Sequence, residues 1–79
     1  MNEEKRSIEE YRILLKWTKT RLAQEAGIDR TTLDNALDPT KTIYKVTAQK
    51  IAEGISKGLQ AQGLQSISYT DLADLHFAD

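Results

Sequence analysis

Apolar residues recur every three or four positions along most of this chain, a spacing typical of amphipathic helices. Period-two alternation of the kind that marks a strand is confined to residues 66–69, which are too few to pair alone. The pattern predicts an all-α fold, in which residues 1–79 form a single domain, a compact bundle of five short helices. We expect these helices at about residues 4–16, 18–26, 29–37, 45–57 and 70–76.

Residues with strong capping preferences mark the ends of the first three helices. Ser7 and Glu10 have the spacing of a capping box; the alternative is a first helix that begins before Ser7, in which case Ser7 is not its cap. Thr18 and Asp29 are good N-caps for the second and third helices. Gly27 stands where a left-handed residue commonly ends a helix.

The later boundaries rest on proline and glycine. Pro39 ends the third helix, because proline disfavours a helical residue before it and cannot continue the hydrogen-bond ladder. Gly58 is the predicted end of the fourth helix. Ser68 or Thr70 caps the last helix, which is expected to turn its leucines inward.

Residues 19–38 carry the most informative pattern in the chain. They predict two short helices joined by a three-residue turn that contains Gly27, which is the description of a helix-turn-helix. The tight crossing of two such helices needs small or aliphatic residues at fixed inward positions. Those positions hold Leu22, Ala23, Ala26, Ile28, Leu33 and Ala36 or Leu37.

The same stretch resembles a known family. Residues 22–33, L-A-Q-E-A-G-I-D-R-T-T-L, look like the signature of the phage-repressor and Cro-like helix-turn-helix family, often called Xre. Residues 51–55, I-A-E-G-I, are similar to its fourth-helix pattern, and residues 69–72, Y-T-D-L, to the start of its fifth helix. The resemblance covers about residues 8–76. It implies a five-helix, lambda-repressor-like DNA-binding domain that usually acts as a dimer on pseudo-palindromic operators.

The third helix carries the candidate base-reading residues. If Leu33 and Ala36 face the core, the opposite side faces outward, and its N-terminal part reaches base edges in this docking mode. The expected base-contacting residues are Arg30, Thr31, Asp34 and Asn35. Arg30 suits guanine, Asn35 suits adenine, and Asp34 can accept from the amino group of cytosine. Alternatively, Asp34 pairs with Arg30 at the i,i+4 spacing.

Polar and basic residues around this helix are candidates for phosphate contacts. The start of the second helix offers free amides and the positive end of the helix dipole, which favour an anion. The resemblance implies a further grip on the DNA backbone from the loop after the third helix. The expected phosphate-contacting residues are Thr18, Lys19, Thr20, Thr32, Thr40, Lys41, Thr42 and Lys45.

Charge adds to this picture through its distribution. The net charge of −1 on its face argues against a nucleic-acid partner. However, residues 12–50 hold eight basic residues against four acidic ones, whereas residues 58–79 hold three aspartates and no base. This asymmetry indicates an electropositive face in the part of the chain that contains the motif.

Composition argues against other classes of function. The chain has no cysteine and a single histidine, His76, so we expect no metal site, no cofactor and no thiolate nucleophile. It also lacks a glycine-rich phosphate loop, and we expect neither an enzyme nor a small-molecule substrate. The longest apolar run is Ile13 to Leu15, and the N-terminus has no secretory pattern. We therefore expect no membrane partner and a cytoplasmic location.

Two functions remain at this point. The first is a sequence-specific regulator of transcription, a repressor that binds double-stranded DNA as a homodimer. The second is a protein-interaction module, or an antitoxin-like partner protein, on the same fold with weak or no DNA binding. Asp29, Asp34 and Asp38 along the third helix favour the second interpretation. Leu64 and Phe77 are candidates for a dimer seam, with a place in the core as the alternative for Phe77.

Overall fold

Four α-helices make up most of the protein in a computed structural model that describes residues 5–38, 40–73 and 75–77. They are α1 (Ile8–Leu15), α2 (Lys19–Ala26), α3 (Arg30–Leu37) and α4 (Lys45–Ala61), and a single 3-10 turn follows at Tyr69–Asp71. This small, mostly helical structure agrees with the predicted all-α class. Among the described helices, none has both the length and the apolar character needed to cross a membrane.

A capping box fixes the start of α1. The Ser7 hydroxyl accepts a hydrogen bond from the Glu10 amide at 3.2 Å, and the Glu10 carboxylate accepts one from the Ser7 amide at 3.1 Å. The predicted start ahead of Ser7 is therefore wrong for residues 5–7, and residue 4 lies outside the described part of the chain. The helix ends at Leu15 because Lys16 adopts a left-handed backbone, with φ of 60°.

The caps of α2 and α3 confirm the sequence-based prediction. The Thr18 side chain accepts from the Arg21 amide at 3.1 Å, and Asp29 accepts from the Thr32 amide at 2.7 Å. Gly27 ends α2 with φ of 72°, in the region that glycine adopts at low cost. Because the Ile28 amide bonds back to the Ala23 carbonyl at 3.0 Å, the connection over residues 27–29 is tightly fixed.

The core lies between α4 and the three shorter helices. Among the helices, α2 makes its most extensive contacts with α4, and Gly54 of α4 lies against the backbone of Ala26 in α2. Leu22, Leu33, Ile51 and Ile55 are the largest fully buried side chains. The buried apolar residues around them are Ile8, Leu15, Ala23, Ala26, Ala36, Ile43, Ala48, Ala52, Leu59 and Leu72.

Two glycines inside α4 allow its neighbours to approach closely. A Cβ atom at Gly54 would lie 2.8 Å from the backbone of Ala26, and one at Gly58 would lie 2.7 Å from the Trp17 ring. The prediction that Gly58 ends the fourth helix is wrong, because α4 continues to Ala61. Gly58 is a packing position, where Trp17 packs against α4.

The predicted fifth helix over residues 70–76 is wrong for the residues described there, which are 70–73, 75 and 76. A capping box between Ser68 and Asp71 starts a 3-10 turn, which ends after one turn. Leu72 then has an extended backbone, and the Ala73 amide donates to the Arg6 carbonyl at 2.9 Å. Further along, the Ile43 amide donates to the His76 carbonyl at 2.8 Å. These bonds to distant residues take the place of helical ones, so a helix cannot form over the same residues.

Side chains fix this C-terminal segment against the core. The buried Ser56 hydroxyl donates to the Ile67 carbonyl and accepts from the Ile67 amide, both at 3.0 Å. Phe77 packs edge-on against Tyr69, with ring centroids 5.8 Å apart. Of the two alternatives for Phe77, packing against the core of its own chain is the one observed, whereas Leu64 is exposed.

Candidate functional site

The outward side of α3 holds the four predicted base-contacting residues. Leu33 is fully buried and Ala36 is buried, so the helix is fixed to the core by one side. The remaining side is polar. It consists of the exposed Arg30, Thr31 and Asp34 and the half-buried Asn35.

Arg30 joins α3 to the start of α2. Its Nε donates to the Asp34 carboxylate at 3.1 Å, and its Nη1 donates to the Thr20 hydroxyl at 3.4 Å. The i,i+4 pairing that the sequence left as an alternative is therefore present. Both charged side chains of this pair are half exposed, at 50% for Arg30 and 51% for Asp34. The pair is open to a ligand from solvent.

Lys41 lies at the other end of the same helix. Its Nζ donates to the Asn35 side-chain oxygen at 3.1 Å, which brings a predicted phosphate contact beside a predicted base contact. The loop before it is fixed by Asp38, which accepts from the Thr40 amide at 2.9 Å and the Thr40 hydroxyl at 2.7 Å. The hydrogen bonds from Thr40 lower the pKa of Asp38.

Three of the predicted phosphate-contacting residues are engaged in local contacts near the helix starts. Thr18 caps α2, as described above. Thr32 is half-buried, and hydrogen bonds from its side chain and amide lower the pKa of Asp29. Lys19 is also half-buried and lies near α1. The pKa of Glu9 is lowered mainly by its hydrogen bond with Arg12 and to a smaller degree by the charge of Lys19.

The segment between α3 and α4 is more exposed. Thr42 and Lys45 are exposed, as phosphate contacts require. Between them lies Tyr44, whose 62% exposure makes its phenol a further candidate for a phosphate contact. Sequence reasoning missed Tyr44, although an aromatic residue between Lys41 and Lys45 is a usable signal. Tyr44 also supplies no side-chain hydrogen bond to the first amides of α4.

Carboxylates are interspersed with these basic groups. Asp29 and Asp38 have lowered pKa values and remain ionised at neutral pH. Together with Asp34 they place three negative charges at the start, middle and end of α3. The site therefore presents both donors and acceptors to a polar surface such as a base edge, but its attraction for phosphate is reduced.

Comparison of the chain with models of protein families, with curated proteins and with solved structures finds no match. Its function is therefore inferred from its own residues and contacts.

Proposed function

We propose that α2, the connection over residues 27–29 and α3 form a helix-turn-helix, with α3 as the recognition helix. Two eight-residue helices joined by three residues have the size and connection of that motif. The left-handed Gly27 and the fully buried Leu33 support it, since they set the turn and hold α3 against the core.

The chain then acts as a sequence-specific DNA-binding regulator of transcription. One observation carries this proposal. The exposed side of α3 presents Arg30, Thr31, Asp34 and Asn35 together, and the N-terminal part of such a helix is the part that reaches base edges in the major groove. Side chains of these types pair with particular bases through hydrogen bonds.

The proposed contacts to the sugar–phosphate backbone come from residues at both ends of α3. Thr18, Lys19 and Thr20 lie at the start of α2, and Thr20 already contacts Arg30. Thr32 lies in the first turn of α3. Beyond the other end are the loop residues Thr40, Lys41, Thr42, Tyr44 and Lys45. Such contacts fix the position of a protein on the duplex, while base contacts determine the sequence.

The proposed mechanism is steric repression by a homodimer. Two copies related by two-fold symmetry would place two recognition helices in successive major grooves and cover an operator. Activation through the same contacts requires no different residue in the site. The exposed Ile13, Leu14 and Leu64 are apolar side chains available to a partner copy.

Selection of duplex DNA from a random library, repeated at two salt concentrations, tests this function. We expect an enriched inverted repeat with half-sites about one helical turn, roughly 10 base pairs, apart. Arg30→Ala should lower the affinity by about 1–3 kcal/mol and relax the preference at one base pair. Weak, salt-sensitive retention with no enriched sequence would refute base reading by α3.

A second candidate function is a protein-interaction module, including an antitoxin-like partner protein. The observation that favours it is the charge of α3, where Asp34 neutralises Arg30 and two further aspartates stand at the helix ends. A basic partner protein would fit this surface better than DNA does. In that case neither Arg30→Ala nor Lys41→Ala would change the affinity for DNA. Titration of each variant with duplex DNA measures this affinity.

A further inference from the structure

We infer that Asp34 is a positioning residue, which holds Arg30 in the orientation that reads a guanine. This inference rests on the proposed function. It concerns how one base is chosen, and it assigns Asp34 no base of its own. The contacts that carry it are the two hydrogen bonds of Arg30, one to Asp34 on the same helix and one to Thr20 on α2.

The Arg30 guanidinium is held by two of its nitrogens. A guanidinium has five N–H donors in a fixed planar arrangement. The Nε donor is taken by Asp34 at 3.1 Å, and one Nη1 donor is taken by Thr20 at 3.4 Å. Three donors remain, one on Nη1 and two on Nη2. A planar group held at two points keeps its remaining donors in a defined direction.

The remaining donors suit one base edge. Guanine presents two neighbouring acceptors in the major groove, N7 and O6, whereas adenine presents an acceptor beside a donor. A group that carries donors alone satisfies both acceptors of guanine and clashes electrostatically with the adenine amino group. Because Arg30 is oriented before it binds, it loses less rotamer freedom on contact with the base.

Asp34 also has an opposite effect on affinity. Its carboxylate is half exposed and repels nearby phosphates, so it weakens attraction to every DNA sequence. Positioning and repulsion have different signatures. Removal of a merely repulsive charge strengthens binding and leaves base preference unchanged. Removal of a positioning residue lowers the preference at the base pair read by Arg30.

The experiment measures binding of purified full-length protein to the selected duplex and to three duplexes that replace the guanine. For the wild type we expect a preference for guanine of about tenfold or more. In Asp34→Ala the preference should fall below about threefold, while binding to mixed-sequence DNA is as tight as before or tighter. Asp34→Asn retains the Oδ1 acceptor and should recover part of the preference.

Two further variants sharpen the result. Thr20→Val removes the second hydrogen bond at similar side-chain volume and should lower the same preference by a smaller factor. Glu25→Ala is the matched control. Glu25 is the half-buried i,i+4 partner of Arg21 at 2.9 Å, and this variant removes a comparable ion pair from α2 instead of α3. Its base preference should equal that of the wild type.

A double variant separates positioning from direct base contact. If Asp34 acts through Arg30, then Arg30→Ala and Arg30→Ala/Asp34→Ala will show the same base preferences at every position. Any additional loss in the double variant means that Asp34 itself contacts a base, and the inference is overturned. Full guanine preference in Asp34→Ala overturns it as well.

The outcomes also distinguish this inference from the proposed function. If the wild type enriches no sequence, both fail. If the wild type enriches an operator and Asp34→Ala reads it unchanged, the regulator stands and the positioning role fails. Circular dichroism of each variant confirms the fold, which should persist because an exposed ion pair contributes little to stability.

Discussion

Replacement of Gly54 with alanine is expected to destabilise the protein, although alanine is the better helix former. The added Cβ atom would lie 2.8 Å from both the Cα and the N of Ala26 and 2.9 Å from the carbonyl carbon of Glu25. Non-bonded carbon atoms rest at about 3.5–4.0 Å, so α2 would have to move away by about 0.7 Å. The obstacle is the backbone of a helix whose Ala23 and Ala26 are buried, and it cannot turn aside as a side chain can.

The magnitude follows from two opposing contributions. Overpacking of a well-packed core costs about 1–3 kcal/mol, and a backbone obstacle indicates the upper end of this range. Glycine to alanine inside a helix recovers about 1 kcal/mol. We therefore expect a net loss of about 2 kcal/mol in the free energy of unfolding, or a decrease of about 10 °C in Tm for a domain of this size.

Urea unfolding followed by far-ultraviolet circular dichroism measures this loss. Gly58→Ala is the informative comparison, because its Cβ atom would meet the side chains of Trp17 and Leu15 instead of a helix backbone. It should stay within about 1 kcal/mol of the wild type. Lys57→Ala, at an exposed position of α4, controls for helix propensity. A Gly54→Ala protein as stable as the wild type, or less affected than Gly58→Ala, would refute the reasoning.

Three further predictions concern binding, capping and pH. Lys41→Ala should weaken binding to all duplexes alike and reduce the slope of log affinity against log salt concentration by about one. Anisotropy titrations over a salt series measure both effects. A loss of affinity limited to one sequence would contradict a phosphate contact. Ser7→Ala should cost about 1 kcal/mol in urea unfolding, because α1 loses its capping box. Asp29 has a lower pKa in the folded protein than in the unfolded chain. Its contribution to stability is therefore fully present above its pKa in the unfolded chain, and it is lost as the pH falls through its pKa in the folded protein. The urea midpoint should therefore decrease below about pH 4, and less steeply in Asp29→Asn; identical pH profiles would contradict this.

Features that depend on neighbouring residues could be predicted from the sequence. Ser7, Thr18 and Asp29 cap their helices because a side-chain oxygen and an amide three residues on are close in any helix start. Gly27 ends α2 for an equally local reason, its tolerance of positive φ. The starts of α2, α3 and α4 were accordingly predicted within one residue.

Features that depend on distant residues could not be predicted. Gly58 has the same local signal as a helix end, but in the structure it makes room for Trp17, which is far away in sequence. The capping pattern at Ser68 does start a turn, but beyond it the backbone groups of Ala73 and His76 form hydrogen bonds with Arg6 and Ile43. Nothing in the sequence around residue 72 indicates those partners.

The contacts of the candidate site also divide into those between neighbouring residues and those between distant residues. The pairing of Arg30 with Asp34 follows from helical spacing and was available as an alternative. The contact of Arg30 with Thr20 needs the approach of two helices, and that of Lys41 with Asn35 needs the path of a loop. Its residues other than Tyr44 could therefore be named from the sequence, whereas the contacts between separate elements could not.

The hydrogen bond between Ile43 and His76 has a consequence for the order of events during synthesis. The ribosome makes α2, α3 and the following loop before it makes residues 72–77, and chains begin to fold from the N-terminal side. Until His76 has been made, the segment that leads from Lys41 into α4 lacks its backbone partner. A nascent or prematurely terminated chain would thus carry α3 with a following loop that lacks its hydrogen bond at Ile43. Synthesis of His76 is what completes the backbone hydrogen bonding of the segment that follows α3.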